Sequence, residues 1–204
     1  LKYSMKLGIS EAEVFIRRNR ELNLDGYERL ESITYGDEIG VGVRLILGKK
    51  VGFFSSTISS ESKVEEIVRS AYKVAKISRE DPNWRSLTKE FGKSNVKGIY
   101  DRRAESFDPE KLLEWYDEGL EVVRSSKEDA KITNFSSSML CVETYVTSTM
   151  GLSLFKKESF TDLYVNVTVS LDGKKACGED YWLSRMVDVP VEKVSRNALR
   201  NALD

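Results

Sequence analysis

The chain has 204 residues, 40% of them hydrophobic, with 32 basic against 33 acidic side chains and a formal net charge of -1. That apolar fraction supports a buried core and excludes a disordered tail, while the balanced charge excludes the electrostatic excess that draws proteins to nucleic acid or anionic lipid. Histidine is absent, which removes Ser-His and Cys-His nucleophile pairs, imidazole bases and nearly all catalytic zinc sites.

In chain order, Met5 and Leu7 followed by Gly8 read as the last turns of a helix, and residues are expected ahead of Leu1. Ala12, Val14 and Ile16 alternate with polar neighbours, and Leu22 and Leu24 lead into Asp25-Gly26, a favoured hairpin turn. Glu31, Asp37 and Glu38 bracket a further turn. From Ile39 the period is that of a half-buried strand, with Val41, Val43, Leu45 and Leu47 on one face and Gly40, Gly42 and Arg44 on the other. Gly48-Lys49-Lys50 turns this strand back into Val51–Ser55. The period then changes: Val64, Ile67, Val68, Ala71 and Ala75 fall on one helical stripe. Four strands and a helix are therefore predicted for residues 1–77.

Residues 78–107 lack periodicity and read as a crossing segment. Asp108-Pro109 opens a second helix, with Leu112, Trp115, Tyr116, Leu120 and Val123 as its buried stripe. An antiparallel array of three strands follows. Leu140, Val142 and Val146 alternate on the first, Leu163–Leu171 alternates with great regularity, and Asp172-Gly173 turns it back into Ala176–Leu183. Val191, Val194, Ala198, Leu199 and Leu203 form a last helical stripe. The fold class is α+β: antiparallel hairpin arrays with helices packed on them, in the order strands, helix, linker, helix, strands, helix. Whether the arrays join in one sheet is open at this point, and residues 1–204 are read as one continuous domain.

The segment from Gly8 to Val68, together with SREDPNWRSL, IYDRRAESFDPEKL, DAKITN and VTSTMGL, resembles the N-terminal domain of the TldD/PmbA family, named for modulation of DNA gyrase. SREDPNW and DAKITN lean toward the PmbA (TldE) branch. The resemblance implies a metalloprotease system in which a TldD-type subunit carries zinc on an HExxxH-type motif in its C-terminal portion, while a PmbA-type subunit lacks that motif and pairs with it. The chain is then expected to continue beyond Asp204, and no cofactor is expected in this segment. The implied partners are a TldD-like subunit or a second copy, and a peptide or unfolded protein substrate. Neither nucleic acid nor a membrane is expected as a partner. The rival readings are a TldD-type zinc peptidase whose catalytic half lies outside this segment and a free-standing interaction module.

No catalytic or metal-ligating residue is assigned. Glu31, Asp37, Glu38, Glu179 and Asp180 read as solvated turn and strand charges. Cys141 and Cys177 read as buried structural thiols on strands, and Gly40-Val41-Gly42, lying inside a strand, reads as a place for close backbone or aromatic packing. Trp84, Tyr181 and Trp182 are the interface candidates, because such side chains combine large apolar area with a polar tip. The strand Ala176–Leu183 is the expected sheet edge. With no apolar run near the ~20 residues of a membrane span and no CxxC pair, a cytoplasmic protein is expected.

Overall fold

The computed structural model describes residues 1–92, 94–126 and 129–204. Lys93 in the crossing segment, and Lys127 and Glu128 ahead of the second array, lie outside the described residues. A short helix α1 (Lys2–Met5) is followed by strands β1 (Glu11–Gly26), β2 (Leu30–Leu47) and β3 (Lys50–Ile58) and helix α2 (Ser62–Ile77). After a 3₁₀ turn at Arg102–Ser106 come helix α3 (Pro109–Arg124), strands β4 (Asp129–Ser148), β5 (Ser153–Leu171) and β6 (Lys174–Ser184) and helix α4 (Val191–Leu203). The strands form one six-stranded sheet in the order β3-β2-β1-β4-β5-β6, so the protein is α+β.

Two turns follow the sequence closely. Leu47 faces Lys50 across the β2–β3 hairpin, with Gly48 at φ +64° in the first turn position. Leu171 faces Lys174 across β5–β6, with both Asp172 and Gly173 at positive φ, the requirement of a type I′ turn. Elsewhere the structure corrects the sequence reading. Among the described residues three strands precede α2, not four, because β2 runs unbroken through the turn expected at Glu31, Asp37 and Glu38. Arg18 on β1 explains it by donating from Nε and Nη2 to the Asp37 carboxylate at 2.9 and 2.6 Å, a cross-strand pair that holds the chain extended. Asp25 and Gly26 likewise belong to β1, and the chain reverses over residues 27–29, where the Tyr27 amide donates to the Arg29 carbonyl at 3.0 Å.

The chain divides into two compact units. Unit 1 comprises Leu1–Asn19, Asp37–Val96 and Val142–Lys157, and unit 2 comprises Arg20–Gly36, Lys97–Cys141 and Glu158–Asp204. In unit 1, Ala12, Val14, Val41, Val43 and Leu45 form one apolar face, covered by Ile67, Val68 and Ala71 of α2. In unit 2, Leu163, Val165, Val167 and Val169 of β5 pack with Phe135, Met139 and Cys141 of β4 under Trp115 and Tyr116 of α3 and Val194 and Ala198 of α4. At ~25 cal/mol per Å² of apolar area removed from water, these two clusters supply the dominant stabilising term in each unit.

One packing device occurs twice. α2 lies on β3 and α4 on β6, and in both places the strand presents a glycine. A Cβ on Gly52 would stand 2.2 Å from the Ala71 carbonyl oxygen, and one on Gly178 would stand 2.2 Å from the Ala202 amide nitrogen. The helices therefore rest on bare strand backbone, a close approach that only glycine allows.

Candidate functional site

Strand alternation sends every second side chain away from the helices. In unit 1 this outward set is Glu13, Phe15 and Arg17 on β1, Gly40, Gly42 and Arg44 on β2, and Phe53, Ser55 and Thr57 on β3, with Gly40 facing Thr57, Gly42 facing Ser55 and Arg44 facing Phe53. These residues line an open hollow of about 610 Å³. Phe15 and Phe53 are 42% and 54% exposed at its sides, large values for phenylalanine. Gly42 meets the expectation of aromatic packing, since its Cβ position lies 3.4 Å from the Phe53 ring. The Glu13 carboxylate lies 3.5 Å from Arg44, and Arg17 donates from Nε to the Asn19 side-chain oxygen at 3.0 Å.

The outward face of unit 2 is polar instead. Thr133 donates to the Asn166 side-chain oxygen at 2.6 Å, the Thr168 hydroxyl lies 3.2 Å from the Cys177 sulfur, and the Tyr164 hydroxyl donates to Glu179. That last contact pushes the Tyr164 phenol up from its ordinary range. Elsewhere in unit 2, Asp101 anchors the end of the crossing segment. Its carboxylate accepts from the backbone amide, Nε and Nη2 of Arg103 at 3.0, 3.1 and 2.7 Å and from the Val187 amide at 3.2 Å. Its own amide donates to Ser159 Oγ at 2.7 Å, which donates to the Arg185 carbonyl. The Arg103 guanidinium, bridging to Asp188 at 2.7 Å, holds Asp101 down at about 2 against the opposing effect of burial.

The interface candidates separate. Tyr181 and Trp182 are neighbours on β6, at the sheet edge as expected. Tyr181 is 72% exposed, whereas Trp182 packs against the unit 2 core. Trp84 is half-buried in the crossing segment of unit 1. The indole N–H groups of both tryptophans are enclosed and have no acceptor among the described residues. Among the carboxylates, Glu179 and Asp180 point to opposite faces, Glu179 to Tyr164 and Asp180 to Asn197 Nδ2 at 2.8 Å. Cys141 is buried, but Cys177 is exposed on the edge strand, a correction to its reading as a core thiol. The sequence holds no histidine, and among the described residues no three Cys, Asp or Glu side chains converge. No helix among them is long and apolar enough to cross a membrane. The hollow and the Asp101 clamp were not read as sites from sequence; the only signal for the hollow was the pair of glycines alternating with core residues on β2.

Unit 1 is thus an antiparallel array backed by a helix on one face and open on the other. Residues 12–75 match the sequence model of PmbA/TldA metallopeptidase domain 1. The chain is 36% identical over 63 residues to the metalloprotease MJ0996 of Methanocaldococcus jannaschii, a stretch covering 31% of this chain and 14% of that protein. Across 99% of its length it shares the fold of TldE from Thermococcus kodakarensis, with a TM-score of 0.90, 20% identity and 46% of that chain covered. A Thermotoga maritima protein named for modulation of DNA gyrase gives a TM-score of 0.81 at 17% identity, again over 99% of this chain and 46% of that one. The family match is thus confined to residues 12–75, and the chain spans a little under half the length of the solved structures it matches.

Proposed function

We propose that the chain forms the first-domain part of a PmbA-type subunit that binds no zinc itself and pairs with a zinc-bearing TldD-type subunit in a cytoplasmic metalloprotease. Its role there is assembly and guidance of an extended substrate peptide. The observation that carries this reading is the division of each unit into a helix-covered face and an open one. The fold shared with TldE, and a chain devoid of histidine, support the non-catalytic assignment. Co-expression of the chain with a TldD-type subunit is the test. Co-purification, with peptide hydrolysis and stoichiometric zinc found only when the TldD-type subunit is present, is the expected result. Zinc held by this chain alone, or hydrolysis by it that survives further purification, overturns the reading.

The 36% match to a metalloprotease over 63 residues favours a second reading, the first domain of the zinc peptidase itself. The residues encoded after Asp204 decide between the two, since an HExxxH-type motif there selects the peptidase.

A further inference from the structure

Of the six strand glycines, Gly26, Gly42, Gly52 and Gly178 have a neighbour close to where a Cβ would stand, whereas Gly36 and Gly40 do not, and of these two only Gly40 lines the unit 1 hollow. Gly52 and Gly178 are required where helices rest on the strand backbone, and Gly42 lies beside the Phe53 ring. A Cβ on Gly40 would meet nothing nearer than the Arg17 carbonyl oxygen at 3.9 Å. Glycine inside a strand weakens it relative to alanine, and at Gly40 no contact among the described residues demands it. What the glycine does is leave the floor of the unit 1 hollow bare, between the exposed rings of Phe15 and Phe53.

The rim supplies the second observation. Arg17 and Arg44 face one carboxylate, Glu13, which lies beside Arg44. Arg17 is held only at Nε, by a neutral amide oxygen, so its terminal nitrogens have no carboxylate among the described residues. An apolar trough with a surplus guanidinium at its edge matches an aromatic side chain followed by a carboxylate. We propose that this hollow binds an extended acidic peptide, seating one aromatic side chain on the Gly40–Gly42 backbone between Phe15 and Phe53, with an adjacent Asp or Glu on Arg17. The proposal deepens the peptide-guiding function above and rests on it for the choice of a peptide over other anions.

The test measures fluorescence anisotropy of the chain with a labelled extended peptide carrying one Phe followed by Asp, beside analogues with Asn for Asp or Ser for Phe. Gly40→Val fills the trough and suits a strand, so its thermal midpoint stays at or above that of the parent while peptide affinity falls tenfold or more. Arg17→Gln loses about threefold to tenfold and no longer distinguishes the Asp peptide from the Asn one. Absence of binding to the parent, or unchanged affinity in Gly40→Val, overturns the proposal. So does loss of self-association or of TldD-type subunit association in Gly40→Val, since the hollow would then be a subunit contact. Peptide binding without any association with a TldD-type subunit leaves the hollow standing and defeats the assembly reading.

Discussion

Asp101 is almost wholly enclosed, at 9% exposure, and its carboxylate faces only N–H donors. Asp101→Asn keeps the shape but removes the charge opposite Arg103 and turns one acceptor into a donor, so a loss of about 1–3 kcal/mol in chemical denaturation is expected. The pH dependence follows from the depressed value. Asp101 ionises at about 2 when folded against 3.8 for the free side chain, so its contribution is complete above pH ~4 and is lost as pH falls toward 2. The gap between parent and Asp101→Asn in urea midpoints should accordingly be wide at neutral pH and close across that window. On β6, the two aromatic neighbours should part company. Trp182→Ala, which removes a side chain packed on the unit 2 core, should cost about 2 kcal/mol or more, while Tyr181→Ala should leave stability unchanged within about 0.5 kcal/mol.

Between elements, the glycine seats set sharper limits than the apolar stripes. Gly52→Ala places a methyl 2.2 Å from the Ala71 carbonyl oxygen, where backbone must move to make room. A loss of about 1–3 kcal/mol or more is expected in thermal or urea melts, against little change for Gly40→Ala in the same strand layer. How much of this was legible depended on which strand carried it. β5 could be read outright, because its inward positions from Leu163 to Val169 are all aliphatic and its outward ones are polar. β1 could not, because Arg17-Arg18-Asn19-Arg20-Glu21 interrupts the alternation; the charges are satisfied across strands and loops, Arg18 by Asp37 and Arg20 by Glu105, which a local pattern does not show. On β4 the aliphatics Leu140, Val142 and Val146 drew attention away from Phe135, Ser137, Met139 and Cys141, where a buried serine breaks the apolar period. The Asp101 clamp joins residues far apart in sequence, and the hollow is made by what two glycines lack. Neither leaves a motif.

For the whole molecule, a net charge of -1, with 32 basic against 33 acidic side chains, predicts no salt-sensitive affinity for duplex DNA in the sub-micromolar range, since few counterions are released on contact; anisotropy with a labelled duplex at two salt concentrations checks this. The two helix seats recur in the chain order as well as in the packing. Three successive strands, a glycine on the third and a helix stepping alanines across it occur in the order β1, β2, β3, α2 and again in the order β4, β5, β6, α4. The sheet order β3-β2-β1-β4-β5-β6 places the first strand of one set beside the first strand of the other. Contacts between backbones cannot be repaired by exchanging side chains, so the glycine–alanine seats are the places where a change on one element has no remedy on the other.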